Sequence, residues 1–271
     1  MMDGLYLYCI RDKSVGDDIF SIKGIDGKGD VFTLSYGEFE TVVSGVSLQE
    51  FESEAIQIKA QEDLNWIKEK AVIHERVIEQ AMMKEGKNMG LIPMGFGTIF
   101  KEEASLRESL NKNHDKIKHL LDIIRGKQEW GVKVYLNDKK FFEKNIKEKS
   151  ELIKEKEREM ASLPEGMAFF MEEELKEIID KEKDKELNNI TGFLFEILKK
   201  HAVDSVRNKL LEKELTGIRK PMVLNAAYLI SDGKVEEFIN EAERLKQKVQ
   251  TEGFCLEYSG PWPAYNFTKF Q

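Results

Sequence analysis

Trp130-Gly131-Val132-Lys133-Val134-Tyr135-Leu136 is the stretch whose reading decides the fold. Aromatic and β-branched residues dominate it, so it reads as a strand. Downstream, from Asp138 to about Leu215, Lys and Glu take over and the pattern becomes helical. Leu175, Ile178 and Ile179, then Ile190, Phe193, Leu194, Ile197 and Leu198, form the expected buried stripes. Pro164-Glu165-Gly166 breaks the run, and Met167-Ala168-Phe169-Phe170-Met171 is a short apolar island. Val203 to Leu211 is ambiguous between a helix end and a strand. Met222 to Ile230 reads as a strand, with Ser231-Asp232-Gly233 as a turn or helix cap. Val235, Phe238, Ala242, Leu245 and Val249 then step by three and four residues, the mark of an amphipathic helix. Phe254, Leu256 and Tyr258 alternate as a last strand. The order strand, long helical segment, possible strand, strand, helix, strand predicts a ferredoxin-like split βαβ unit with an expanded helical crossover.

Upstream, Leu5-Tyr6-Leu7-Tyr8-Cys9-Ile10 reads as a strand. Val31 to Leu34 and Thr41 to Ser44 read as two more, with a turn at Ser35-Tyr36-Gly37. A helix is predicted from about Gln61 to Lys84, its apolar stripe being Leu64, Ile67, Ala71, His74, Ile78 and Ala81. Gly86 to Gly97 is glycine-punctuated around a short strand at Gly90-Leu91-Ile92-Pro93. A second amphipathic helix turns Leu106, Leu110, Ile117, Leu121 and Ile124 inward and is capped by Gly126. The chain therefore reads as α+β throughout. Two domains are expected: 1–126, an N-terminal α+β domain, and 127–271, the modified ferredoxin-like domain with a Pro/aromatic tail at 260–271.

Hydrophobic residues make up 41% of the 271, enough for a sizeable core, and charged residues 34%, which fits long solvated helices. The net charge of −8 repels phosphate backbones, so nucleic acid is not expected as a partner. No apolar run is long enough to span a bilayer, and Met1-Met2-Asp3-Gly4 lacks a signal-peptide pattern. A cytoplasmic protein is the expectation. Cys9 and Cys255 have no metal-type spacing and read as buried, reduced thiols.

Candidate chemistry is thin. His74-Glu75 opens like the zinc-protease phrase HExxH, but the second histidine would fall at Ile78, so the metal site fails. His74 on the apolar stripe reads as a packed or interface residue. His114 and His119 are flanked by lysines and read as surface. Gly24-Ile25-Asp26-Gly27-Lys28-Gly29 has the order GxxGxG with no amphipathic helix directly after it, so it reads as a turn. Glu172-Glu173-Glu174 fan around a helix and do not converge. No catalytic residue, cofactor site or metal site is expected. The tail differs: Pro261 and Pro263 bracket Trp262, with Tyr265, Phe267 and Phe270 behind. Prolines lower the entropy cost of ordering it. It reads as a segment folded back over a sheet or seam, or as an aromatic docking surface carried by Trp262, Tyr265 and Phe267.

Several phrases, taken in order, resemble the gas vesicle protein F/L family. They are Leu64-Asn65-Trp66 with His74-Glu75, Pro93 to Phe100 (PMGFGTIF), Glu129 to Val134 (EWGVKV), Asn225 to Leu229 (NAAYL) and Gly260 to Phe267 (GPWPAYNF). The resemblance covers nearly the whole chain and is weakest between Lys139 and Leu215. It departs at Gly95, where the family usually has an arginine before Phe-Gly-Thr. The resemblance implies two α+β domains and an accessory role in assembling gas vesicles. It implies binding to the apolar shell protein or to other accessory proteins, without catalysis. Such a binder keeps an aggregation-prone apolar surface covered or nucleates its ordered addition. The alternatives are a helical scaffold or adaptor oligomer built on residues 139 to 200, and a small-ligand enzyme with His74 and Glu75 as acid and base. The sequence does not separate the F type from the L type.

Overall fold

The computed structural model describes residues 4–13, 20–51, 53–84, 87–162, 164–212 and 220–270. The chain is α+β, with two larger antiparallel sheets and one two-stranded ribbon among the described residues. It divides into two compact units, Met1–Glu129 with Pro261–Gln271, and Trp130–Gly260.

The first unit runs β1 (Gly4–Asp12), β2 (Val31–Tyr36), β3 (Phe39–Val46), α1 (Leu48–Phe51), α2 (Ser53–Glu62) and α3 (Leu64–Met82). The short strands β4 (Met83–Lys84), β5 (Lys87–Asn88), β6 (Leu91–Pro93) and β7 (Ile99–Phe100) follow, then α4 (Glu103–Lys112) and α5 (His114–Ile124). The main sheet has the order β2-β3-β1-β6, with β7 also on β1. The turn between β2 and β3 falls at Gly37-Glu38, later than the expected Ser35-Tyr36-Gly37, because Tyr36 pairs with Phe39. Gly37 takes φ +60°, which a glycine accepts without a Cβ clash.

The predicted first helix is two. Asp63 ends α2 and caps α3 by accepting from the Asn65 and Trp66 N–H groups. His74, Val77, Ile78 and Ala81 form the buried face of α3, but Leu64 is 65% exposed, so the stripe does not extend to the first turn. The second predicted helix also divides, at Asn113, whose side-chain amide donates to the Ser109 carbonyl at 2.8 Å. Its inward set, Leu106, Leu110, Ile117, Leu121 and Ile124, is buried as expected. Gly126 follows at φ +67°. Inside the sheet Arg11 and Glu40 form a buried ion pair, with Nε donating at 2.8 Å. Two charges in a core are tolerated only as such a pair. Gly24 to Gly29 is a turn as read, with the Asp26 carboxylate accepting from the N–H groups of Lys28 and Gly29.

The second unit contains β8 (Lys127–Leu136) from Trp130 onward, α6 (Lys139–Lys149), α7 (Glu151–Ala161), α8 (Glu165–Lys199) and β9 (Asp204–Arg207). It ends with β10 (Met222–Ser231), α9 (Val235–Gln250) and β11 (Phe254–Trp262) as far as Gly260. The sheet order is β11-β8-β10-β9. Trp130, Val132, Val134 and Leu136 share one face of β8 with Leu224, Ala226, Tyr228 and Ile230 of β10, and the helices bury that face. Pro164 sits at the start of α8, where its missing N–H costs nothing. The ambiguous Val203 to Leu211 resolves into β9 on the edge. Phe193, expected inside, is 44% exposed under the Lys248 ammonium, 4.5 Å from its ring centre. Cys9 is buried and Cys255 only half-buried; both are free thiols. The side chains of Met167 to Phe170, the larger part of the apolar island, lie outside the described residues, as does Gly86.

Candidate functional site

Four segments of the first unit converge on His74. β1 brings Tyr6 and Tyr8, α3 brings His74 and Glu75, the loop after β6 brings Met94 to Gly97, and the tail brings Tyr265. Alternation along β1 puts Tyr6 and Tyr8 on the same face, toward α3. The Tyr6 hydroxyl lies 3.0 Å from His74 Nδ1, and His74 Nε2 lies 3.1 Å from the Met94 carbonyl.

These contacts fix the protons. Burial pushes the His74 pKa down to about 4, so the ring is neutral near pH 7. The Met94 carbonyl only accepts, so Nε2 carries the proton and Nδ1 accepts from the Tyr6 O–H. The Tyr6 oxygen in turn accepts from the Gly97 N–H at 2.9 Å. The Tyr265 hydroxyl donates to Glu75 Oε1 at 2.9 Å. Tyr8 closes the cluster: its hydroxyl pairs with Ser44 Oγ at 2.9 Å and accepts from the Ile25 N–H at 2.7 Å. Burial raises the Tyr6 and Tyr265 pKa values and pushes Tyr8 up to about 12.

The tail is clamped a second time. Glu129, 4% exposed, accepts from the Asn266 backbone N–H at 3.1 Å and from its side-chain amide at 2.6 Å. Burial raises the Glu129 pKa to about 7, against the pull of these two donors. The Ala264 carbonyl accepts from the N–H groups of Phe267 and Thr268 and from the Thr268 hydroxyl, forming a compact turn. Lys116 lies over the Phe270 ring at 5.3 Å.

Of the three tail aromatics singled out in the sequence, Trp262 is 42% exposed, while Tyr265 and Phe267 are half-buried. Tyr265 is directed at Glu75 by its hydroxyl. His74 and Glu75 do not face a common cleft: both His74 nitrogens and one Glu75 oxygen are occupied by protein groups. The hollow between Met82, Leu91, Ile124, Trp262 and Ala264 encloses about 10 Å³, room for no ligand larger than water. A larger hollow of about 250 Å³ in the second unit has a floor of Phe142, Ile146 and Ile190 and a rim of lysines and glutamates. Among the described residues no group of three or more His, Cys, Asp or Glu is placed to hold a metal ion. None of their helices is long and apolar enough to cross a membrane.

Sequence reasoning missed Glu129 and Asn266 as partners, although both lie in the quoted phrases. A carboxylate opening an apolar strand and an amide inside an aromatic tail are the signals; neither names the other. Gly95 is exposed, and a Cβ there meets nothing within 4 Å.

A family model described as gas vesicle synthesis protein GvpL/GvpF matches residues 4–269. Gas vesicle protein L of Streptomyces sp. (strain CB03234) is 23% identical over 86% of this chain and 81% of its own length. Gas vesicle protein F1 of Halobacterium salinarum is 22% identical over 98% of this chain and 93% of its own length. The crystal structure of gas vesicle protein GvpF from Anabaena sp. PCC7120 superposes with a TM-score of 0.78 at 20% identity, covering 99% of both chains. That of GvpF from Microcystis aeruginosa gives 0.69 at 20% identity, covering 99% of this chain and 100% of the other. At such identity the two structures speak to the fold.

Proposed function

Because the chain belongs to the gas vesicle synthesis protein GvpL/GvpF family, we propose that it is a non-enzymatic assembly factor acting in the cytoplasm on the growing gas vesicle. It binds the apolar shell protein, alone or with other accessory proteins, and keeps it soluble or nucleates its addition. The family match over residues 4–269 carries this reading. The engagement of His74 and Glu75 by protein groups supports the absence of catalysis, since an acid–base pair needs free positions aimed at a substrate. The proposed tail contacts are Trp262, Tyr265 and Phe267. The exposure of Trp262 between two prolines supports Trp262 as their outermost member. The second unit is proposed to be a modified ferredoxin-like fold. Its strand order, last-first-third-second, supports this. Ion pairs from Lys183 to Glu143 and from Lys156 to Glu174 join α8 to α6 and α7, which disfavours a single extended coiled-coil connector.

The test is co-expression with a gas vesicle shell protein and affinity pull-down from the soluble fraction. Co-purification that keeps the shell protein soluble is the expected result. No binding, with both proteins folded and abundant, rejects the shell protein as the partner and moves the contact to another accessory protein.

A further inference from the structure

We propose that residues 263–270 form a proton-linked strap, which closes over Glu129 with uptake of a proton from solvent and lifts more readily as pH rises. The strap works without any binding partner, so it does not depend on what this chain binds.

The segment is built to move as one piece. β11 ends at Trp262, so residues 263–270 lie outside the sheet. Most of their backbone bonds are internal: the Pro263 carbonyl accepts from the Tyr265 N–H, and the Ala264 carbonyl from the N–H groups of Phe267 and Thr268. Among the described residues, and besides apolar packing, the ties to the rest of the first unit are few. They are Asn266 on Glu129, the Tyr265 hydroxyl on Glu75 and beside His74, and the Phe270 ring under Lys116. Lifting the segment therefore breaks no strand ladder, which makes it a unit of local opening.

Closure buries a carboxylate that no cation offsets. Glu129 is 4% exposed, and both its oxygens accept from Asn266. Trp262, Pro263 and Ala264 line a hollow with it, to which α3, β6 and α5 bring Met82, Leu91 and Ile124, none ionisable. Lys127 lines the same hollow, but its ammonium donates to the carbonyls of Ile123 and Arg125. The Arg125 guanidinium pairs with Asp12 and Asp122, and Lys269 on the strap is exposed. Two neutral donors replace only part of the hydration that a carboxylate loses on burial. In the closed state burial holds the Glu129 pKa up at about 7. Lifting the strap readmits water and returns it toward the ordinary 4.5. A group that binds its proton more tightly in the closed state favours closure at low pH.

Two groups under Tyr265 also titrate. Burial raises the Glu75 pKa, so Glu75 acts with the same sign. Burial lowers that of His74, which acts with the opposite sign. Its nitrogens bond to Tyr6 and Met94, outside the strap, and stay occupied when the strap lifts.

Amide exchange of the unaltered chain, corrected for intrinsic rates, tests this at Asn266 and Thr268 from about pH 5.5 to about pH 8, with Val43 of β3 as the core reference. Strap opening is expected to be more frequent than opening at Val43. It should rise about tenfold per pH unit up to about pH 7 and level off above. Most of that rise should vanish in Glu129→Gln and persist in Glu75→Gln. A pH-independent opening constant overturns the proposal, as does a strap that opens no more often than Val43. A rise kept by Glu129→Gln and lost in Glu75→Gln moves the proton to Glu75 and also overturns it. Should Glu129→Gln fail to fold, an NMR titration of the Glu129 carboxyl in the unaltered chain decides. A midpoint near 7 supports the strap, and one near 4.5 overturns it.

Discussion

Glu129 holds Asn266 twice, one carboxylate oxygen on its backbone N–H and the other on its side-chain amide, across 137 residues of sequence. Together with the Tyr265–Glu75 bond, this fixes the tail at two consecutive residues. A tail held this way presents Trp262 in a set position, so the partner contact proposed for it would need no prior ordering of the tail.

Asn266→Ala deletes the amide that satisfies one oxygen of a buried carboxylate. We expect a loss of about 1–3 kcal/mol in unfolding free energy. Urea denaturation measures it; a midpoint equal to that of the unaltered chain would mean that the clamp contributes nothing.

His74 and Glu129 give opposite pH dependences. His74 falls from 6.5 in the unfolded chain to about 4 in the fold. Its contribution is therefore complete above pH 6.5 and lost as pH falls toward 4. Glu129 rises from 4.5 to about 7, so its contribution is complete below pH 4.5 and lost as pH rises through 7. Each is worth about 3 kcal/mol and the two nearly cancel between the inner limits. The stability difference between the unaltered chain and Glu129→Gln should shrink as pH rises from 4.5 to 7. The difference from His74→Phe should grow as pH rises from 4 to 6.5. Parallel pH profiles for all three proteins would contradict this assignment.

Two neighbouring glycines separate by conformation. Gly97 has φ +83°, with Ile56 Cδ1 3.3 Å from a built Cβ, whereas Gly95 faces open space. Gly97→Ala should cost about 1–2 kcal/mol. Gly95→Arg should stay within about 0.5 kcal/mol. Thermal melts of the pair would refute the contrast by shifting equally.

Tyr265→Phe keeps the ring and removes the donor to Glu75. A destabilisation of about 1 kcal/mol is expected. Trp262→Ala should leave the melt nearly unchanged while reducing shell-protein retention. Full retention by the folded Trp262→Ala protein would remove that residue from the contact.

Much of the fold was legible because periodicity reports burial directly. The β8 stretch, the stripe of α9 and the inward set from Leu106 to Ile124 all lie where their spacing places them. Errors arose where a pattern outran its element. Leu64 continues the stripe of α3 in register but sits at its first turn, and Phe193 ends up under Lys248. The breaks at Asp63 and Asn113 were missed because cap residues also occur inside helices, and only the backbone path shows which role they take.

Local periodicity and ordered phrases suffice for the α+β class, the strand-forming segments and the family resemblance. Packing in three dimensions is what groups residues 261–271 with the first unit, makes His74 a neutral bridge between Tyr6 and Met94, and brings Glu129 to Asn266. It alone also placed β2 at the end of its sheet. The physical reason is range. Periodicity is written over a few residues, whereas strand order and the pairing of buried polar groups depend on which distant segments desolvate one another.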